Sequence, residues 1–242
     1  MRSLHIKASG LTADIYAGEF IILRSPHDRD MVVLARKINE LKLPGVVEVI
    51  GSTSEVCLKI APSFDDVQLS RIGFVSSQTI VDHQTYRLPV CLEIGGEWEN
   101  IKAATGLNKE AIRNLLAKST LRFDMHGFLP GFMYLSGLPS QLHIPRKRTP
   151  EQSVPAGAVG LGGSYLGTYA LPSPGGWYVI GLCPLRLFDK NQPNITRLKV
   201  GDEIKLRFLT AEDYHSLHNK SCLLYTSPSP RDATLSRMPS SA

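Results

Sequence analysis

HGFLPGFMYLSGLPSQLHIPRKRTPEQSVPAGAVGLGGSYLGTYALPSPGGWYVIG, residues His126–Gly181, is the stretch that decides the fold. It holds 11 of the chain's 20 glycines and 7 of its 16 prolines within 56 residues. That density rules out long helices and leaves short strands joined by tight turns. Glycine loses more backbone freedom on folding than any other residue. So much of it in one place therefore implies positive-φ turns, crowded packing, or backbone brought close to a ligand.

Working outward, Arg87–Leu92 (RLPVCL) opens the unit that contains this stretch, and two helices follow it, Trp98–Thr105 and Asn108–Lys118. Gly106-Leu107 separates them, and Asn108 stands as N-cap before Glu110, Ala111, Ile112 and Leu115. A last strand pair is expected at Thr196–Val200 and Glu203–Phe208, joined by Gly201-Asp202. Many short strands with Gly/Pro turns and two helices indicate a small β-barrel over residues 86–219.

Residues 1–85 alternate differently. Glu19–Leu23 is a short apolar strand, and Asp30–Leu41 places Val33, Leu34, Ile38 and Leu41 on one helical face with Asp28 or Asp30 as cap. Leu43-Pro44-Gly45 stops that helix. Val46–Ile50 and Glu55–Ile60 form a hairpin around Gly51–Ser54, Asp65–Ile72 is a second short helix, and Gln78–Asp82 a fourth strand. The order βαββαβ is the split-βαβ pattern of a small α+β domain.

The chain has 242 residues, 43% apolar and 20% charged, and a formal charge of +5; this is the composition of a globular protein. Its basic residues are scattered without interleaved aromatics, which argues against nucleic acid. No apolar run approaches the roughly 20 residues of a membrane span, and no signal peptide is legible, so a cytoplasmic protein is expected. Cys57, Cys91, Cys183 and Cys222 lack metal-ligand spacing, and most lie in apolar runs, so reduced, buried thiols are expected. Cys222–Ala242 (CLLYTSPSPRDATLSRMPSSA) changes composition abruptly. Cys222–Asp232 and Ser236–Ala242 match, letter for letter, the translation of a sequencing-library adapter. The segment is set aside as non-native, is expected to stay clear of the fold, and leaves the natural terminus beyond Ser221 open.

Aromatic and basic residues inside the decisive stretch carry the chemistry. Phe128, Phe132, Tyr134 and Trp177 sit on or next to Pro130-Gly131 and Pro174-Gly175-Gly176 turns, which favours a cleft over pure core. Arg146, Lys147 and Arg148 form a loop between prolines; either it is a solvated basic loop, or Arg146 offers its planar fork to a carboxylate or phosphate. Gly157–Gly163 (GAVGLGG) lacks the Gly-Lys-Ser/Thr ending of a P-loop, although its amides can cradle an oxyanion. His126 can act as acid or base near neutral pH, the plainer alternative being a packed turn histidine. His215 and His218 supply only two ligands, so no metal site is expected.

The run Gly127-Phe128-Leu129-Pro130-Gly131-Phe132-Met133-Tyr134-Leu135, with Pro145-Arg146, Val154-Pro155-Ala156-Gly157 and Ser173-Pro174-Gly175-Gly176-Trp177, resembles a known family. It is the family of the B-type subunit of 5-oxoprolinase, the sporulation kinase inhibitor and allophanate hydrolase subunit 1, and it is similar to part of the carboxyltransferase region of urea carboxylase. The likeness runs from about Gly18 to Tyr214 and includes Leu88-Pro89-Val90-Cys91 and Leu187–Asp189. The resemblance implies a small α+β domain followed by a cyclophilin-like β-barrel. It also implies one component of a heteromeric enzyme, inactive alone, that joins the C-type and A-type subunits of 5-oxoprolinase in the ATP-dependent opening of 5-oxoproline to L-glutamate. ATP would bind with the partner, and no biotin site is on this chain. Two alternatives remain: a binding protein that inhibits a sensor histidine kinase, and part of a urea-amide carboxyltransferase or allophanate hydrolase system.

On the oxoprolinase alternative Arg146 and His126 are the catalytic candidates. Phe128, Pro130, Gly131, Phe132, Tyr134, Gly162, Gly163, Ser173, Gly175, Gly176 and Trp177 are the substrate-binding candidates, with amides at Gly131, Gly162, Gly163 or Gly176 as oxyanion donors. Three positions depart from the family pattern: Glu151 where Arg is frequent, Leu182-Cys183 where a polar pair is frequent, and Met133 where Pro is frequent.

Overall fold

The structure, a computed structural model, describes residues 2–6, 10–25, 30–52, 54–73, 83–191, 198–218 and 225–226, the first and last of these as backbone. The chain divides into two compact units, residues 1–82 and 83–242.

The first unit runs β1 (Arg2–Ile6), β2 (Leu11–Tyr16), β3 (Phe20–Arg24), α1 (Met31–Glu40), β4 (Val46–Gly51), β5 (Glu55–Ile60) and α2 (Val67–Gly73). Its sheet has the order β1-β2-β3-β5-β4 with every neighbouring pair antiparallel. β3 and β4 are therefore parallel with β5 between them, so β3–α1–β4 is a split βαβ unit. The edge of β3 that the expected fourth strand would occupy is taken by β2, and Gln78–Asp82 lies outside the described residues. Asp30 caps α1 by accepting from the Val33 amide at 3.0 Å. The buried face of α1 is Met31, Leu34, Ala35 and Ile38, flanked by Val32. Leu41, expected on that face, is exposed because the helix ends before it.

The second unit runs β6 (Thr85–Cys91), α3 (Trp98–Thr105), α4 (Lys109–Lys118), β7 (Leu121–His126), β8 (Met133–Ser136), β9 (Glu151–Val154), β10 (Ala158–Gly162), β11 (Tyr165–Thr168), β12 (Ser173–Gly175), β13 (Tyr178–Leu182), β14 (Glu203–Leu209), α5 (Ala211–Leu217) and β15 (Tyr225–Thr226). Seven of these strands close a barrel in the order β13-β10-β11-β8-β7-β14-β6, and the ring shuts where Leu182 of β13 pairs with Cys91 of β6. Its interior is filled by residues such as Leu88, Phe123, Leu135, Leu161, Leu166 and Ile180, and Ile101, Ile112 and Leu116 of α3 and α4 pack into the same cluster. β9 and β12 form a separate two-stranded ribbon. No helix among the described residues is long and apolar enough to cross a membrane. Cys91 and Cys183 are buried free thiols, and Cys57 is half-buried.

Two expectations are corrected here. Gly201-Asp202 does not turn a hairpin, for Leu198–Val200 is not a strand and Thr196–Arg197 lies outside the described residues. Instead β14 runs parallel to β6 and antiparallel to β7, and Asp202 is the pin between them. Its carboxylate accepts from the Gln84 amide at 3.1 Å and the Lys199 amide at 2.6 Å, while its carbonyl accepts from the Phe123 amide at 2.8 Å. Asp202 is 1% exposed. Asp202→Ala is expected to lower stability by about 2 kcal/mol, because it removes a buried carboxylate that accepts from two part-buried amides. Urea unfolding checks this, and a shift within about 0.5 kcal/mol, as at an ordinary surface position, would contradict the pinning role.

The second correction concerns the tail. Tyr225 and Thr226 pair antiparallel with Arg87 and Tyr86 of β6 rather than staying clear of the fold. β13 meets β6 only at Cys91, which leaves backbone groups at Tyr86–Arg87 open to an added strand.

Candidate functional site

Glycine density in β10 has a packing cause. The Trp177 indole lies over Gly162 of β10 and Gly167 of β11, and its Cβ lies over Gly160 of β10. A Cβ on Gly162 would stand 2.5 Å from Trp177 Cδ2, and one on Gly167 2.5 Å from Cζ3 of the same ring. The GAVGLGG segment is thus not an anion-cradling loop. Ala158–Gly162 is a fully buried strand laddered to β11 and β13, and the Gly163 amide donates to the Ile144 carbonyl at 2.7 Å.

On that floor stands a network of rings. Phe132 meets Trp177, Tyr169, Tyr134 and Phe128 with centroids 5.5, 5.1, 4.9 and 5.4 Å away, mostly edge to face. Such geometry suits the ring quadrupoles. Phe132, Tyr169 and Trp177 are buried, but Phe128 is 59% exposed and has φ +62°, a left-handed conformation uncommon for a bulky residue. The turn between β7 and β8 thus holds an aromatic side chain out at the rim.

A cavity of about 230 Å³ opens between these rings, lined by Phe128, Phe132, Tyr134, Arg146, Pro150, Tyr169, Pro174, Gly175, Gly176 and Trp177. Different elements converge to build it. β8 supplies Tyr134, the residue after β11 supplies Tyr169, and the β12–β13 turn supplies Gly176 and Trp177. The loop after the Ile144–Gly163 bridge supplies Arg146. The Arg146 guanidinium carbon lies 5.8 Å from the Trp177 ring centroid, within cation–π range. No acidic side chain lines the cavity, and among the described residues Arg146 forms no salt bridge.

Lys147 is occupied elsewhere. Its ammonium is held by Glu97 and, at 3.1 Å, by Glu151, above the Tyr178 ring. Desolvation is the largest single influence on its pKa and lowers it, but the two carboxylates together outweigh it and hold the pKa above the ordinary 10.5. Burial raises the Tyr169 phenol above its ordinary 10.0 against the opposing effect of a hydrogen bond with the Trp177 backbone, so it is neutral at pH 7.

Seven of the sequence-predicted residues line the cavity: Phe128, Phe132, Tyr134, Arg146, Gly175, Gly176 and Trp177. The others stand outside it. Pro130 is exposed on its turn, and Gly131 is packed, where a Cβ would reach Ala170 Cβ at 2.8 Å. Gly162 serves the strand floor, and Gly163 turns the chain past its end at φ +64°. Ser173 lies in β12 with a buried hydroxyl that has no partner among the described residues. His126 donates from Nδ1 to the Phe132 carbonyl at 3.1 Å and packs against Phe123, bracing the turn that carries Phe128. Although the residue is exposed, desolvation of its ring pushes the pKa below the usual 6.5. Pro150, Tyr169 and Pro174 were missed. Tyr169 stands one residue past the end of β11, a strand the sequence did not mark.

Comparisons with known proteins agree with this architecture. The chain is 29% identical over 205 residues to the B-type subunit of 5-oxoprolinase from Bacillus subtilis (strain 168), covering 77% of this chain and 85% of that protein. It is 41% identical over 170 residues to the B-type subunit of 5-oxoprolinase from Escherichia coli O157:H7, covering 67% of this chain and 78% of that one. Among solved structures, TTHA0988 superposes with a TM-score of 0.69 at 26% identity over 79% of this chain, which spans 40% of that protein's length. The carboxyltransferase domain, subdomain C and D, matches residues 8–198, a span that contains every residue lining the cavity, and the chain belongs to that family.

Proposed function

We propose that this chain is the B-type subunit of an ATP-dependent 5-oxoprolinase, a lactam hydrolase that opens 5-oxoproline to L-glutamate together with its C-type and A-type subunits. The observation that carries the proposal is the cavity itself: small, walled by aromatic rings, free of lining carboxylates, and served by the one guanidinium of Arg146. It suits a planar amide ring bearing a carboxylate, the ring against Trp177 and Phe132, the carboxylate toward Arg146. Lactam opening needs activation of the amide oxygen, here assigned to phosphoryl transfer from ATP bound with the partner. Both relatives are named as one component of a larger enzyme, which supports a site completed by another chain.

The test is reconstitution. The chain, co-purified with a C-type homologue and supplemented with an A-type one, is expected to hydrolyse ATP in response to 5-oxoproline and to release glutamate. Absence of stimulated hydrolysis in a stable, co-purifying complex would overturn the assignment.

A further inference from the structure

We propose that Lys147 and Glu97 form a positioning pair that sets where Arg146 presents its guanidinium, and so determines the site's preference for a carboxylate-bearing ligand. This rests on the carboxylate role given to Arg146 above. Lys147 follows Arg146 directly but lies outside the cavity lining, with a side chain only 9% exposed. A buried ammonium is costly unless paired, and this one is held by two carboxylates. Glu97 is itself fastened: its second oxygen accepts from the Val179 amide at 2.8 Å, and its own amide donates to the Val179 carbonyl at 2.8 Å. The Lys147 amide donates to the Gly176 carbonyl at 2.8 Å.

The loop bearing Arg146 is therefore tied on both sides of Trp177, to Gly176 through backbone and to Val179 through Glu97. Those ties set the register between guanidinium and indole. Glu97 occupies the N-cap position of α3 yet makes no capping bond with its side chain. Its carboxylate serves Lys147 and β13 instead of its own helix.

The experiment uses the reconstituted complex, with 5-oxoproline as substrate and 2-pyrrolidinone, the same ring without the carboxylate, as competitor. Lys147→Met and Glu97→Gln are each expected to raise KM for 5-oxoproline about tenfold, the loss of one well-placed charged hydrogen bond. kcat and the inhibition constant of 2-pyrrolidinone should stay unchanged, and Lys147→Arg should restore KM. In an Arg146→Ala background Lys147→Met should add nothing. A further loss in that background, or equal losses for both ring compounds, would show a merely structural role. If Arg146→Ala raises KM while neither pair variant does, the positioning role fails alone. If Arg146→Ala leaves KM unchanged, the carboxylate assignment falls and the pair's role falls with it. Should Lys147→Met not fold, Glu97→Gln carries the same test.

Discussion

Gly181→Ala is expected to lower stability by about 3 kcal/mol, the upper part of the range for forcing extra volume into packed structure. Gly181 lies beside Leu182, whose pairing with Cys91 shuts the barrel. A Cβ at 181 would stand 2.2 Å from the Cys91 carbonyl oxygen and 3.1 Å from Leu92 Cα. Both obstacles are backbone, so no rotamer change relieves them. The two strands must separate where they share that pairing. Urea unfolding followed by tryptophan fluorescence is the check, since Trp98 and Trp177 both belong to the barrel unit. The midpoint should fall with little change in the slope. A variant as stable as the parent would mean that the seam tolerates separation and is not what holds the ring.

Trp177→Ala carries the second large effect, expected at about 3–5 kcal/mol from lost burial and from the cavity left behind. The indole is 5% exposed and bounded by glycines that have no side chains with which to refill the space. The same change removes the ring beneath Arg146 and one wall of the cavity, so 5-oxoproline-dependent turnover should be lost together with stability. Trp177→Phe separates the two effects: it should recover part of the stability while leaving Arg146 a smaller aromatic face. Circular dichroism follows unfolding in these variants, because the main fluorophore at the site is gone. Full turnover by Trp177→Ala at a temperature where it is folded would remove the ring from the binding site and leave it a packing role.

Local signals were legible where short-range physics decides the outcome. Asp30 and Asn108 cap α1 and α4 as their side chains dictate, and Gly106 ends α3 at φ +73°. The β4–β5 hairpin followed from two β-branched runs around a polar turn. What escaped was set by distant partners. β2 has a weak apolar pattern and places Asp14 in mid-strand, where it is stabilised by an ion pair with Arg24. β14 pairs with β6 across 118 residues, from Thr85 to Glu203, and nothing near Gly201-Asp202 announces that. The site shows the same division. Its aromatic residues and Arg146 stand out by type and by neighbouring turns, whereas Tyr169 and the Glu97–Lys147 pair are known only once strands and helix have been brought together.

The Trp177 side chain laid across Gly160, Gly162 and Gly167 constrains how this protein can vary. Residues from three separate places in the sequence act there as a single packed object, in which the absence of side chains on two strands is the complement of one large side chain on the β12–β13 turn. A methyl group gained on the floor demands a smaller ring above it, and a smaller ring leaves space that only a changed floor can fill. Exchange at Gly162 or Gly167 alone is resisted, while exchange in concert with Trp177 is open, so diversification of this site by single substitutions will stall at these two glycines.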